Sequence, residues 1–374
     1  MLPLYKMDEK PKKYLNSNAG LWFERFFDEY NDNANDLKPE LDKKDQGKNF
    51  WLQKFKKAGN TEALQQAACQ QMDLIKQLNG KHKFFNTQWH FITGIGYPHP
   101  VENGLLWHQV QGVPYLSGAA VKGLVRAWVE EWEFAVVEGE SEEDEFTREA
   151  EKRKQLLSWF GSDNKKADKQ QNPSQAGDII FFDALPVKEV SLVTDIMTPH
   201  YGKWYNEGGS INNIKEEPQK IPADWHDPVP IPFLVVDKAS SYLFSIAPRN
   251  IQAAERVDMQ KVIDCLTQAL EWLGAGAKTA TGYGGFIKHD KHPLGKQWLA
   301  INQSFDEELA EMTEAEIIVA FSKNYNATKT RFEQNWQQAI NVTWQNHEEK
   351  IKSWESSNNK NQKKAYKNLI RAKG

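Results

Sequence analysis

The sequence has only two cysteines, Cys69 and Cys265, and they do not form a CxxC pair. Their scarcity argues against a disulfide framework or a cysteine-rich zinc site, and favours a reducing cytoplasm. No apolar run approaches the roughly 18–20 residues that a membrane span needs, so no membrane partner is expected. Residues 1–14 carry four lysines but no apolar core of the kind found in a signal peptide.

The sequence also lacks an excess of basic residues, since its net charge is −4. A nucleic acid would therefore have to bind through local patches. One such patch is residues 350–374, which hold eight Lys or Arg and one Glu. Residues 138–151 are the opposite, with eight acids against one arginine, a pattern typical of a solvated loop or helix face.

Hydrophobic residues make up 40% of the 374 positions, which suffices for one large domain or two modest ones. Residue periodicity predicts elements in the order strand, helix, strand, strand, helix, strand. The predicted strands are 86–96, 177–187, a hairpin of 232–236 with 241–247, and 283–289. The predicted helices follow Ser117 and run over 259–273.

This order is the ferredoxin-like, or RRM-like, βαββαβ plan. We therefore predict an α+β fold with that core, large insertions, and helical N- and C-terminal extensions. The expected domains are a helical region over 1–83, the core over 84–295 with an insertion near 198–230, and a helical, basic extension over 296–374.

The run LGAGAKTATGYGGF (273–286) holds five glycines, yet it is not a nucleotide-binding loop. Ala277 stands where a P-loop needs the glycine before its lysine, and Trp272 stands where it needs the earlier one. A P-loop also joins a strand to a following helix, whereas here a helix comes first. The Rossmann pattern fails at Thr279, where its last glycine would be. No cofactor is expected.

Two interpretations of this run remain open. Gly274 is suited to end the helix, so the run could be a purely structural turn. Alternatively, small residues let RNA approach the backbone, and successive amides can form an anion-binding nest. Lys278 would then supply charge and Tyr283 a stacking face. This RNA-binding interpretation assigns contacts to Gly274, Gly276, Lys278, Thr279, Gly282 and Tyr283.

A second candidate RNA site is the helix start SGAAVKGLVR (117–126). Ser117 is the predicted N-cap, and the first amides, beginning at Gly118, suit a phosphate. Lys122 and Arg126 are four residues apart, so they share one helix face. Each could equally be an ordinary surface charge.

These two motifs, PYLSGAAVKGLVR (114–126) and GAGAKTATGYG (274–284), resemble the paired motifs of the RAMP superfamily of CRISPR RNA-guided proteins. Three further segments resemble the family of sixth RAMP subunits of the type III-B (Cmr) effector complex: GDIIFFDALPV (177–187), TPHYGKWY (198–205) and PVPIPFLVV (228–236). The similarity covers roughly residues 84–290. It departs at Ala119 and Ala120, where small hydroxyl residues are usual, so only backbone amides are expected to act there.

The resemblance implies a noncatalytic subunit that binds the 3′ side of the CRISPR guide RNA near one end of a filament of related RAMP subunits. Target RNA would reach it by pairing with the guide, in antiviral defence. The implied phosphate contacts fall on Lys122 and on the glycine-rich loop residues named above. The insertion over 198–230 is implied to be a thumb-like element against a neighbouring subunit or the guide–target duplex.

The resemblance also frames the question of catalysis. The target-cutting paralogue uses an aspartate after its first strand, but residues 94–116 hold only one carboxylate, Glu102. No catalytic residue or metal site is therefore predicted. The alternative is a metal-independent endoribonuclease that processes precursor CRISPR RNA, with His90, His99 or His108 as general base. A third possibility is a protein-interaction module without RNA contact.

Overall fold

The computed structural model describes residues 12, 17–30, 47–135, 141–162, 175–199, 202–207, 215, 218–221, 230–332 and 336–373. The chain forms two compact units, Met1–Asp290 and Lys291–Gly374. The division into 1–83, 84–295 and 296–374 stays a prediction. Most of the predicted insertion over 198–230 lies outside the described residues.

The first unit combines helices with short antiparallel strands. Its helices are α1 (Ala19–Arg25), α2 (Lys48–Gln53), α3 (Thr61–Gln77), α4 (Gly118–Trp128), α5 (Glu142–Phe160), α6 (Gly202–Glu207), α7 (Ile251–Arg256) and α8 (Met259–Trp272). Its strands are β1 (Lys57–Ala58), β2 (Lys81–Thr87), β3 (Pro98–His99), β4 (Glu102–Asn103), β5 (Trp107–His108), β6 (Val113–Pro114), β7 (Ile179–Phe181), β8 (Leu185–Pro186), β9 (Val190–Met197), β10 (Ile231–Val236), β11 (Ser241–Pro248) and β12 (Phe286–Lys288).

The central sheet has the strand order β12-β2-β11-β7, and β8 pairs with β11 beside β7. All neighbouring strands are antiparallel, with Tyr242 opposite Phe85 and Phe286 opposite Thr87. In chain order these four strands are β2, β7, β11 and β12, so they lie in the sheet in the order fourth, first, third, second. The predicted α+β class is confirmed at this level.

Both faces of the central sheet are covered, because all eight residues of β11 are buried. Successive side chains of a strand point to opposite faces. Tyr242 and Phe244 share one core with Val125 of α4 and Leu266 of α8. On the alternate positions Leu243 is buried as well, and α3 contacts both β2 and β11.

A smaller sheet has the order β1-β9-β10, and it corrects two predictions. The hairpin of 232–236 with 241–247 is wrong, because β10 pairs with β9 while β11 pairs with β2 and β7. The first strand is Lys81–Thr87 and not 86–96. After Thr87 the chain leaves the central sheet and bridges to β10, with Phe91 opposite Val236.

The two long predicted helices of the core are confirmed. Ser117 caps α4 by accepting the amide of Ala120 at 3.3 Å, and Asp258 caps α8. After Trp128 the regular helix α4 ends, because residues 129–133 form a π-helical turn. That turn leaves the Trp132 side chain 58% exposed.

The second unit is helical, as expected for the C-terminal residues. It consists of α9 (Pro293–Glu311), α10 (Glu314–Ile318), α11 (Tyr325–Arg331), α12 (Trp336–Ser353) and α13 (Lys360–Lys373). The basic tail is part of its core, since Trp354 and Leu369 are buried with Phe321. None of the described helices is long and apolar enough to cross a bilayer.

His99 ties the loop after β2 to the N-terminal helix α1. Its Nε2 lies 2.8 Å from the Phe23 carbonyl oxygen, and the Val101 amide donates to its Nδ1 at 3.2 Å. A carbonyl only accepts, so Nε2 carries the proton and the ring is neutral. The His99 ring also stacks on Phe23 at 4.2 Å. Burial lowers the pKa of His99 to about 4, against a smaller opposing effect of the Phe23 carbonyl.

The pKa of His99 predicts an acid-sensitive fold. In the unfolded chain His99 takes up a proton near pH 6.5, whereas in the folded chain it does so only near pH 4. The contribution of neutral His99 to stability is therefore complete above pH 6.5 and is lost as the pH falls below it. We expect His99 to account for a loss of up to about 3 kcal/mol in the free energy of unfolding. Denaturant titrations between pH 7 and 4 should show a flatter profile for His99→Gln, which keeps a donor and an acceptor. Parallel profiles for the two proteins would contradict this.

Candidate nucleic-acid interface

The glycine-rich loop packs edge to edge against the segment that follows β2. The Ala277 amide donates to the Ile92 carbonyl at 2.9 Å, and the Gly284 amide donates to the His90 carbonyl at 2.8 Å. Within the loop, the Ala275 amide donates to the Gly284 carbonyl at 2.8 Å. These backbone hydrogen bonds hold both ends of the loop and leave its tip projecting.

Three of the loop glycines are required by the chain itself. Gly274 follows the C-cap residue of α8, Leu273, with φ +70°, and so ends the helix as predicted. At Gly276, with φ +90°, a Cβ would lie 2.0 Å from the Ile92 carbonyl oxygen. At Gly284 a Cβ would lie 1.9 Å from the Ala275 oxygen. The close approach that we expected RNA to make at Gly276 is therefore made by the chain's own backbone.

The tip of the loop is different, because it is open to solvent and rich in unused donors. It is a short 3₁₀ turn, Thr279–Thr281, entered through Lys278 at φ +59° and left through Gly282 at φ +93°. The amides of Lys278, Thr279 and Ala280 have no acceptor among the described residues. The Lys278 ammonium likewise has no ion-pair partner there. Open amides beside a cation form a site for an anion.

Tyr283 anchors the loop and is not a free stacking face. Its hydroxyl donates to Asp195 Oδ2 at 2.6 Å, and its ring packs with Phe233 of β10. Burial and the neighbouring carboxylate raise the pKa of Tyr283 to about 12. Burial alone would raise the pKa of Asp195, but hydrogen bonds from Tyr283, the Ile196 amide and His90 lower it.

A groove of about 610 Å³ lies between the loop and α4, so the structure brings the two predicted motifs together. One wall consists of Ala120, Leu124 and Ala127, and the opposite wall includes residues 273–277 and Thr279. Residues 93–97 form the end. Among the described residues, no charged side chain lines the groove, so polar binding there depends on backbone groups and on the hydroxyls of Thr93, Tyr97 and Thr279.

The start of α4 is less open than its sequence predicted. The Gly118 amide donates to Asp183 Oδ1 at 2.6 Å, and the Ala120 amide is used by the Ser117 cap. A Cβ on Gly118 would lie 2.2 Å from the Phe181 carbonyl oxygen, which explains that glycine. Asp183 already places a carboxylate at the positive end of the helix dipole. Among the first three amides, only that of Ala119 lacks an acceptor in the described chain.

Lys122 and Arg126 do not face the groove. At about 100° per residue they lie roughly 200° and 240° around α4 from Ala120, on the other flank of the helix. They form a separate basic surface with Arg249, whose Nε donates to the Gly177 carbonyl at 2.6 Å. Burial lowers the pKa of Lys122, and the positive charges of Arg249 and Arg126 lower it further. Arg126 is partly neutralised by Glu130 at 2.7 Å.

The structure also shows the surroundings of the candidate catalytic residues. Besides His99, the ring nitrogens of His90 face Asp195 at 3.2 Å and Asp237 at 3.6 Å. His108 Nδ1 accepts the Gln111 amide at 3.2 Å. Glu102 pairs with Lys48. Within the described ranges, no group of three or more His, Cys, Asp or Glu residues could hold a metal ion.

Three polar residues of this region were missed by sequence reasoning: Asp183, Asp195 and Arg249. Arg249 follows β11 directly, and Asp183 lies two residues after the end of β7. A charge just beyond an apolar run is a usable signal at both positions. Asp195 lies within β9 and had no such signal, because the partners Tyr283 and His90 lie far away in sequence.

Residues 85–287 match the family model of the RAMP superfamily. The CRISPR system Cmr subunit Cmr6 of Pyrococcus furiosus is 28% identical over 253 residues, which cover 58% of this chain and 70% of that protein. The crystal structure of that Cmr6 aligns with a TM-score of 0.32 at 24% identity, covering 56% of this chain and 98% of the other. A type III-B Cmr-beta complex bound to cognate target RNA contains a chain that aligns with a TM-score of 0.40 at 16% identity, over 62% and 66% of the two chains.

The glycine geometry predicts unequal effects of the same substitution at two loop positions. Gly276→Ala should lower the free energy of unfolding by more than about 3 kcal/mol, because the methyl group meets the Ile92 carbonyl and the φ angle is left-handed. Gly282→Ala is the matched control. It has a similar φ but open space around it, so it should cost only about 1 kcal/mol of backbone strain. Equal losses in urea unfolding would contradict the packing at Gly276.

Proposed function

Because the chain belongs to the RAMP superfamily, we propose that it is a noncatalytic, guide-RNA-binding subunit of a type III-B CRISPR effector complex. It binds the 3′ side of the CRISPR RNA near one end of a filament of related RAMP subunits, in the cytoplasm, and supports target-RNA recognition in antiviral defence. Target RNA reaches it by pairing with the guide. The sequence similarity to Cmr6 supports this assignment.

The finer fold assignment is part of the proposal. The strand order fourth, first, third, second, with every neighbouring pair antiparallel, is what a ferredoxin-like βαββαβ core requires. α4 and α8 occupy the two helix positions of that plan and pack on each other. The order supports a ferredoxin-like core with the smaller sheet and α3 as additions.

The observation that carries the RNA assignment is the loop tip. Lys278 and the amides of residues 278–280 are unpaired within the described chain, while Ala277, Gly284 and Gly285 hydrogen-bond the loop to the segment after β2. A purely structural turn would need only the hydrogen-bonded part of the loop, without the unpaired donors at its tip. A phosphate is the ligand that matches a cation beside several outward donors.

The surface of Lys122, Arg126 and Arg249 contributes to the same function at a different point. This basic surface lies on the other flank of α4, so the phosphate that it contacts is a different one from the phosphate at Lys278. Lys122 has no ion-pair partner in the described chain, and like charges beside it favour the arrival of an anion. Guide RNA that follows both surfaces would pass the start of α4.

The noncatalytic part of the proposal rests on how the histidines are used. Both nitrogens of His99 are hydrogen-bonded, and both nitrogens of His90 face carboxylates. A general base needs a free nitrogen that reaches the substrate hydroxyl. His108 keeps Nε2 for such a role, and its Nδ1 is occupied. The endoribonuclease alternative therefore depends on His108.

Replacement of Lys278 tests the phosphate contact. We expect Lys278→Ala to weaken binding of unrelated single-stranded RNAs equally, by about tenfold, and to reduce the slope of log K against log salt by about 0.7. Filter binding over a salt series measures both quantities. Lys278→Arg keeps the charge and should keep the slope. A loss confined to one RNA sequence would mean that the loop reads bases.

Lys278→Gly separates binding from folding. A lysine at φ +59° is strained, and glycine removes that strain, so this variant should gain about 1 kcal/mol of stability while it loses RNA affinity. Thermal unfolding and filter binding on the same preparation report the two effects. Unchanged RNA affinity in a folded Lys278→Gly protein would refute the assignment of this loop as an RNA-binding site.

A nuclease assay tests the alternative function. The purified chain, incubated with CRISPR repeat RNA and EDTA, should yield no discrete cleavage product, because both ring nitrogens of His99 and of His90 are engaged and the proposal gives His108 no catalytic role. His108→Gln serves as the matched control and should give the same gel. Discrete cleavage by the wild-type chain that His108→Gln abolishes, a loss of about 100-fold or more for a general base, would establish the endoribonuclease instead.

A further inference from the structure

Trp89 is an exposed tryptophan on a rigid backbone. Its side chain is 48% exposed, although residues on both sides of it are tied down. The Gln88 amide donates to the Gly285 carbonyl at 2.8 Å, and the His90 carbonyl accepts the Gly284 amide at 2.8 Å. Binding a ligand on this ring would therefore cost little backbone ordering.

The Trp89 ring is supported from one side. It stacks on the His90 imidazole with 4.6 Å between ring centroids and 22° between planes. His90 is in turn held between Asp195 and Asp237 and is only 16% exposed. The indole thus has a fixed orientation, with a large part of its surface facing solvent.

An exposed cation lies over the same ring. The Lys238 ammonium is 5.6 Å from the Trp89 ring centroid. Lys238 is exposed and has no carboxylate partner within the described part of the chain. A ligand that satisfies both groups needs a flat aromatic face and an adjacent negative charge. A nucleotide of single-stranded RNA has both.

Trp89 is also connected to the loop that carries the proposed phosphate contact. Asp195 Oδ2 accepts from the Tyr283 hydroxyl at 2.6 Å and lies 3.2 Å from His90 Nδ1. The Tyr283 amide donates to the Lys278 carbonyl at 3.3 Å. One hydrogen-bonded network therefore fixes the Trp89 ring and the base of the Lys278 turn together.

We propose that Trp89 and Lys238 form a further RNA subsite, in which an unpaired base stacks on the indole and its neighbouring phosphate contacts the lysine. This inference deepens the proposed RNA-binding function and depends on it. It assigns base-stacking to a residue outside both the helix start and the glycine-rich loop. Stacking on a bare ring does not select a sequence, so the subsite recognises unpaired nucleotides as a class.

The test compares Trp89→Ala with Trp132→Ala in the full-length chain. Trp132 is the matched control, because it is also exposed and stacked on a ring, Trp128, at 5.7 Å, and it lies in the π-helical turn after α4, outside the groove lining. With oligouridine RNA, Trp89→Ala should weaken binding about tenfold with an unchanged salt slope, and Trp132→Ala should bind like wild type. Trp89→Phe should restore most of the affinity.

An abasic oligoribonucleotide of the same length distinguishes stacking from a general defect. Wild type and Trp89→Ala should bind it equally, because no base is present. Lys238→Ala should weaken both RNAs and reduce the salt slope by about 0.7.

Three results would overturn the inference. Trp89→Ala could bind oligouridine like wild type while Lys278→Ala loses affinity, which refutes the subsite and leaves the proposed function intact. Trp89→Ala could lose abasic RNA as strongly as oligouridine, which makes the effect structural. A wild-type chain that binds neither RNA refutes the proposed function and this subsite with it.

Discussion

The constraint on which this site depends is the contact between two backbones, residues 274–285 and the segment after β2. At Gly276 a methyl group would lie about 2 Å from the Ile92 carbonyl oxygen, and at Gly284 it would lie equally close to the Ala275 carbonyl oxygen on the other side of the loop. That closeness is what permits the hydrogen bonds from Ala277 to Ile92 and from Gly284 to His90. The helix end, the central sheet and the exposed turn are therefore fixed relative to one another by glycine.

A second link joins this contact to the smaller sheet. Asp195 of β9 takes hydrogen bonds from Tyr283 and His90, and Phe91 pairs with Val236 of β10. The segment after β2 thus lies between the glycine-rich loop and β10 and belongs to neither sheet. A polar network at this depth stabilises one arrangement because every member has a partner. These hydrogen bonds explain how the carboxylate of Asp195 is accommodated within strand β9.

Sequence reasoning succeeded where local periodicity decides the structure. The spacing of apolar residues gave α4 and α8, and the caps at Ser117 and Gly274 are where their chemistry placed them. It failed on strand pairing, which depends on partners distant in sequence. The sequence predicts a strand over 86–96, but after Thr87 the chain leaves the central sheet and Phe91 bridges to Val236 of β10. Likewise β10 and β11 are adjacent in sequence and apolar, yet each has a better partner elsewhere.

The same limit applies to the site. Helical spacing correctly put Lys122 and Arg126 on one face, but it could not tell which flank of α4 the loop would meet. The structure separates them from the groove and adds Arg249 to their surface. The loop glycines were a reliable signal of close approach, and sequence alone could not say that the chain itself supplies the approaching atoms.

The backbone at Lys278 bears on why this turn is more than a connection. A lysine with φ +59° costs on the order of 1 kcal/mol relative to glycine, and the loop has glycine at Gly274, Gly276, Gly282 and Gly284, where φ is also positive. A turn selected for stability alone would have glycine at position 278 too. The strained residue is instead the one whose ammonium and amide have no partner within the described chain, so the observed strain favours a ligand-binding role.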